Sequence, residues 1–197
     1  MTLYLIRHGQ SVANRDHLAA GWGEFPLTEA GVMQAKKLGE RLREQPPFDK
    51  IYVSDLVRTR QTFEHVFGAD TPHTLCPLIR EIGAPFAGEP FAQNDARYGE
   101  PYRKARREMD YGAFGGEPAE SMMKRVKEFR DLLERENLGR VAAVCHAGVI
   151  RAFLALTMGV SCTQVLTRSA NCSVSVFERV ETGEWRLVQF NHTPELL

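Results

Sequence analysis

The sequence predicts an α/β fold, with a parallel or mostly parallel sheet covered by helices, and three observations carry that prediction. Short apolar runs rich in strand formers alternate along the chain with amphipathic stretches of helical period. Two of those runs, Leu3-Tyr4-Leu5-Ile6 and Val141-Ala142-Ala143-Val144-Cys145, read as buried strands. Each of the two stops at a histidine with a glycine close behind, as Arg7-His8-Gly9 and His146-Ala147-Gly148. Open α/β sheets bind ligands at the C-terminal ends of their strands, so charge and imidazole are placed where such a fold uses them.

The elements follow in order. The first strand runs into a loop in which Ser11 and Asn14 are short hydrogen-bonding side chains. After Pro26-Leu27, Thr28 is an N-cap and Glu29 sits at the positive end of a helix dipole. That helix carries Gly31, Ala35, Leu38 and Leu42 on one stripe, with Lys36, Lys37, Glu40, Arg41 and Arg43 facing away. Gly39 weakens it, and Pro46-Pro47 ends it. Lys50–Val53 is the second strand, Ser54-Asp55 caps a helix running through Phe63 to Val66, and Thr74–Cys76 is a third strand.

The stretch Gly83–Gly116 fits no single period. It holds Pro85, Pro90, Pro101, several glycines and aromatics, and the basic residues Arg97, Arg103, Lys104, Arg106 and Arg107. An irregular lid-like insertion is one reading, since long loops without their own structure are often functional. A solvated helix around Tyr102–Asp110 is the other. Met122, Val126, Phe129 and Leu133 then mark an amphipathic helix, and Val149–Leu154 an apolar one. Asn171–Glu178 and Trp185–Phe190 read as two late strands joined by a turn at Thr182-Gly183. With no repeat or linker, the 197 residues are expected to form a single domain.

Composition narrows the function classes. Lys and Arg total 25 against 25 Asp and Glu, so nothing global favours nucleic acid or an anionic membrane. No apolar stretch is long enough to span a bilayer, and Met1-Thr2 leads straight into the first strand without a signal-peptide pattern. Cys76, Cys145, Cys162 and Cys172 are scattered, without a Cys-x-x-Cys pair of the kind that binds zinc or carries redox chemistry. The expectation is a cytoplasmic protein with reduced thiols.

Cation, imidazole, glycine and hydroxyl at the end of the first strand make an anion site that contains a possible nucleophile. Alone, Arg7-His8-Gly9 is weak, because most such tripeptides are surface charges or hydrogen-bonded histidines. The second strand-end histidine, His146, strengthens it.

Several separated motifs then match one family. The chain resembles the histidine phosphatase superfamily, the phosphoglycerate mutase-like group, over nearly its whole length. Arg7-His8-Gly9 is similar to the nucleophile motif, and Pro26-Leu27-Thr28-Glu29-Ala30-Gly31 with Gln34-Ala35 to the first-helix signature. Ser54 to Thr62 resembles the segment that supplies a second arginine, here Arg58. Arg80-Glu81-Ile82 resembles the acid segment, and His146 to Arg151 the second histidine. The resemblance implies a three-layer α/β/α fold, a small phosphorylated metabolite as substrate, and no metal or cofactor.

The implied roles make chemical sense together. A phosphate monoester carries close to two negative charges near neutral pH. Arg7 and Arg58 would clamp its oxygens with fork-like, charge-assisted hydrogen bonds. His8 would attack phosphorus and form a phosphohistidine, and His146, as proton donor or cation, would stabilise the transferring oxygens. Glu81 is the candidate general acid and then base, with Glu89 near enough in sequence to compete. The sequence after Glu81 departs from the family phrase, which continues glycine, variable, tryptophan, glutamate, glycine.

Ser11 and Asn14 are expected to touch phosphate, with Gln10 less favoured. Trp22 and Phe25 could wall a pocket, although ordinary core packing is favoured. The basic cluster is either a second anion site or a solvated face. Three functions are open: a metal-independent phosphomonoesterase, a phosphoglycerate mutase, and a catalytically silent phosphate-binding protein. Mutases of the family are longer, with a larger insertion between the acid and the second histidine, which favours hydrolysis. An intact Arg7, His8, Arg58 and His146 quartet speaks against the silent protein.

Overall fold

In the computed structural model, which describes residues 1–194, the first four strands lie parallel, the fifth runs against them and the sixth returns in their direction. They are β1 (Thr2–Arg7), β2 (Lys50–Val53), β3 (Thr74–Leu75), β4 (Arg140–Cys145), β5 (Val174–Arg179) and β6 (Trp185–His192). Their order across the one sheet is β3-β2-β4-β1-β5-β6. The expected mostly parallel sheet is therefore present, with β5 and β6 as an antiparallel hairpin at one edge.

Alternation along the central strands sorts side chains into two cores. Leu3, Leu5, Tyr52, Val141, Ala143 and Cys145 pack on one face with α5 (Ala119–Glu136) and α6 (Ala147–Met158). Ile6, Ile51, Val53, Ala142 and Val144 pack on the other with α2 (Glu29–Arg43) and α3 (Val57–Phe67). The three layers follow directly. Thr28 caps α2 as expected, its side chain accepting from Gly31 N at 3.1 Å. Gly39, a weak helix former, is explained by packing: a Cβ there would lie 2.6 Å from Val66 O, so the glycine lets α2 and α3 approach closely.

Two local expectations are corrected. Ser54-Asp55 does not cap α3; the N-cap is Leu56, without a side-chain cap bond. Ser54 is instead buried against His146, and Asp55 pairs with Arg80 at 2.5 Å. The stretch 83–116 is largely helical: α4 spans Phe91–Glu108, kinked where Gly99 takes a φ of 64° two residues before Pro101. The kink breaks the helical period, which is why no single repeat was visible.

The basic residues of α4 are paired with acids, Arg97 with Glu89, Arg103 and Arg107 with Glu100, Lys104 with Glu108 and Arg106 with Asp95. That arrangement is a solvated charged face. Arg151 of α6 is buried and donates to Arg107 O and Glu108 O, satisfying carbonyls at the end of α4. The four cysteines are buried and unpaired. Among the described residues no helix is long and apolar enough to cross a membrane.

Candidate active site

Parallel pairing of β1 with β4 sets Arg7 opposite Cys145, so both strands end at the same level. His8 N donates to Cys145 O at 3.1 Å, continuing the ladder by one residue. The two histidines that follow are thereby brought together, with ring centroids 5.2 Å apart and planes inclined by 60°.

His8 is buried, and its Nδ1 lies 2.7 Å from Gly9 O. A carbonyl only accepts, so Nδ1 carries the proton and Nε2 keeps its lone pair. Burial first, then the charges of Arg58 and Arg7, push the imidazole pKa well below its ordinary value, so the neutral form prevails. The Gly9 carbonyl is itself fixed by close packing. Gly9 N donates to Thr62 Oγ1 at 3.0 Å, and a Cβ on Gly9 would meet Gly31 O at 2.6 Å.

Arg58 projects from α3 and is fully buried. Its Nη1 and Nη2 donate to Gly23 O and Gly21 O, each at 2.9 Å. Arg7 donates to Ser169 O from the loop before β5. Both Nε atoms are buried without a partner among the described residues. Burial lowers both guanidinium pKa values, and nearby Glu81 opposes the shift. Two desolvated cations that, among the described residues, bond only to carbonyls constitute a demand for an anion.

Glu81 meets this cluster at the start of α6. Its Oε1 accepts from Ile82 N at 2.9 Å and from Gly148 N at 3.1 Å, while Oε2 is 3.4 Å from Gly148 N. The helix N-terminus favours the negative charge. Gly148 is required there, because a Cβ would stand 2.2 Å from Oε1. Glu89 lies elsewhere, ion-paired with Arg97 at 3.7 Å.

Sequence reasoning missed what holds Glu81. Arg125 of α5 donates to Leu78 O, Arg80 O and Glu81 O at 2.9, 2.6 and 3.0 Å. It also pairs with Glu117 at 2.7 Å, and Glu117 accepts from Gly83 N at 2.9 Å. Trp22 was expected in the core but is 48% exposed. Its Nε1 donates to Glu81 O at 2.7 Å, and its ring lines a cleft with Gly83, Pro85 and Gly116. Phe25 is partly buried. Contacts of this kind join residues far apart in sequence and leave no local signal.

Ser11 and Asn14 are brought to the site but are bound to each other. Ser11 is the N-cap of the short α1 (Val12–Arg15), in a capping box with Asn14 rather than a free loop. Asn171, also missed, donates Nδ2 to His8 O at 3.0 Å and to Asn14 Oδ1 at 3.1 Å. Asn14 Nδ2 is therefore the donor that this trio can offer to a ligand. Gln10 Oε1 accepts from Thr28 Oγ1 at 2.8 Å, so both are engaged in holding the loop.

His146 is fully buried, with Nε2 2.8 Å from Ser54 Oγ and Nδ1 without a partner among the described residues. Burial, followed by Arg58, His8, Arg125 and Arg7, pushes its pKa well below the ordinary value.

An adenosylcobalamin/alpha-ribazole phosphatase of Salmonella typhi is 43% identical over 83 residues, a likeness spanning 42% of this chain and only 41% of that protein. A 2,3-bisphosphoglycerate-dependent phosphoglycerate mutase of Brucella melitensis is 31% identical over 192 residues, covering 91% of this chain and 92% of its own. That overlap shows that a protein named as a mutase can be close to this chain in length.

The alpha-ribazole phosphatase of Shigella flexneri superposes with a TM-score of 0.85 at 25% identity, covering 98% of this chain and 96% of its own. A mycobacterial glucosyl-3-phosphoglycerate phosphatase bound to VO3 shares the fold, with a TM-score of 0.86 at 23% identity over 98% of this chain and 99% of its own. Residues 3–193 match a single family throughout, and the chain belongs to the histidine phosphatase superfamily, branch 1.

Proposed function

We propose that the chain is a phosphomonoesterase that hydrolyses a small phosphorylated metabolite through a phosphohistidine at His8, without a metal or cofactor. The observation that carries this reading is the His8 tautomer: Nδ1–H is tied to Gly9 O, which leaves the Nε2 lone pair as nucleophile near the buried Arg58 and the partly buried Arg7. Arg7 and Arg58 receive the phosphoryl oxygens, and Asn14 Nδ2 adds a neutral donor. His8 Nε2 forms the bond to phosphorus as the ester oxygen leaves.

Glu81 protonates that oxygen. Of its two oxygens, Oε1 accepts the two shorter N–H bonds, so Oε2 is the one able to carry the proton. The carboxylate then takes a proton from water as the water attacks phosphorus and the P–N bond breaks. His8 and the clamp are regenerated as inorganic phosphate departs. Charge on the phosphoryl group is met throughout by the guanidiniums, and positioning with electrostatics carries most of such a transfer.

Family membership and likeness to proteins named as alpha-ribazole phosphatases support hydrolysis. The near full-length likeness to the Brucella mutase favours a second reading, return of the phosphoryl group to an organic acceptor. One experiment separates the two. Phosphate release is followed across a panel of phosphomonoesters that includes 3-phosphoglycerate with trace 2,3-bisphosphoglycerate, and the products are checked for isomerisation. Release that vanishes in His8→Ala, together with loss of acid-labile labelling, is the expected outcome. Isomerisation without release would assign a mutase, and full labelling in His8→Ala would remove His8 from the nucleophile role.

A further inference from the structure

We propose that Ser54 is a positioning residue: its hydroxyl donates to His146 Nε2, which places the imidazole proton on Nδ1 and makes neutral His146 a hydrogen-bond donor to the phosphoryl group. The inference deepens the phosphatase reading and rests on it for the identity of the acceptor, though the tautomer itself can be tested alone.

The geometry leaves two arrangements. Ser54 Oγ and His146 Nε2 are 2.8 Å apart, both residues are fully buried, and either atom can donate. If Nε2–H donated to Ser54, the hydroxyl proton would be left without an acceptor among the described residues. Nδ1 would also be a bare lone pair with no donor among the described residues. Two polar groups would then be unmet in a dry site.

If Ser54 donates, Nε2 is satisfied and one group is unmet, the Nδ1–H. That group is the buried orphan atom of His146, in a ring 5.2 Å from that of His8. An orphan donor beside the nucleophile is what an anionic oxygen needs, whereas an orphan lone pair would repel it.

The surroundings explain why a serine is needed. His146 is kept neutral by burial and by Arg58, His8, Arg125 and Arg7, so it cannot donate from both nitrogens as an imidazolium would. A neutral ring donates from one side only, and the partner on the other side decides which. His8 is fixed by the carbonyl of Gly9, and His146, by this reading, is fixed by a hydroxyl. Ser54 is itself held in place, with its N donating to Val144 O at 3.0 Å and its O accepting from Thr59 Oγ1 at 2.8 Å.

The test is histidine 15N–1H spectroscopy of the full chain at pH 7, with the His146 signals assigned by their loss in His146→Asn. The expected spectrum shows one-bond coupling at Nδ1 and an unprotonated Nε2. Ser54→Ala is expected to move the proton to Nε2 in part or wholly, and to weaken orthovanadate binding and kcat/KM by roughly ten- to a hundred-fold. Ser54→Thr, which keeps the hydroxyl, is expected to restore the tautomer and most of the activity.

An Nε2–H in the wild type, or an unchanged Nδ1–H in a folded Ser54→Ala, would overturn the proposal. The wild-type spectrum decides the matter even where Ser54→Ala does not fold. Correct tautomers in a chain that never labels at His8 would leave Ser54 as the residue that sets the tautomer and sink the phosphatase reading instead.

Discussion

At the scale of single residues, the two carboxylates that sequence could not tell apart occupy different electrostatic settings. Glu81 receives backbone N–H bonds from Ile82 and from Gly148 at the α6 N-terminus, within electrostatic reach of Arg7 and Arg58. Glu89 is ion-paired with Arg97 on a surface face, with side-chain exposures of 36% and 49%. An acid that protonates a leaving alkoxide matters most when that alkoxide is a poor leaving group. Glu81→Gln should therefore lower kcat/KM on an alkyl phosphate by roughly a hundred-fold or more, the usual range for general acid catalysis, and only a few-fold on p-nitrophenyl phosphate. Glu89→Gln should change neither by more than a few-fold. Equal losses on both esters in Glu81→Gln would reduce Glu81 to a structural role, and a selective loss in Glu89→Gln would transfer the acid to that residue.

At the scale of elements, helix α6 carries His146 at its N-cap and binds Glu81 through its second residue, Gly148. A methyl group at that position meets Glu81 Oε1 at 2.2 Å and the terminal carbons of Met109 and Met122 at 2.5 and 2.7 Å. The methionines can swing aside, but the carboxylate has to leave its amides. Gly148→Ala is accordingly expected to cut kcat/KM on alkyl phosphates by about a hundred-fold, the scale of an ångström's misplacement, and to shift fold stability by only about 1–2 kcal/mol. Unchanged activity in a folded variant would show that Glu81 need not sit on α6.

Elements of this kind were legible in sequence where an apolar run met an abrupt polar break, as at Arg7-His8 and at His146, or where a cap was local, as at Thr28. The supports of Glu81 were not. Arg125 is 44 residues from Glu81, Ser54 is 92 from His146, and Asn171 is 163 from His8. Helix α4 hid for a different reason: Gly99 changes the direction of the chain inside it and shifts the phase of the pattern.

At the scale of the whole molecule, the site's chemistry sets a condition on stability. His8 and His146 are both buried and both have pKa values pushed well below 6.5, chiefly by desolvation and then by nearby positive charge. In the unfolded chain both return to a pKa near ~6.5. Below that pH the unfolded state binds protons that the folded state refuses, so stability is full above about pH 7 and is lost as pH falls. Each group contributes a limiting slope of about 1.4 kcal/mol per pH unit, and together they should remove roughly 2–3 kcal/mol between pH 7 and 5.5. Carboxylates titrate mostly below that window, so the histidines govern it. Urea midpoints measured at both pH values should fall accordingly in the wild type. The fall should be about half as large in His8→Asn or His146→Asn, and nearly absent in the double variant. A double variant that keeps the full loss would mean that neither imidazole is held neutral by the fold. The lone pair that the phosphohistidine reading assigns to His8 would then have to come from somewhere other than burial between arginines.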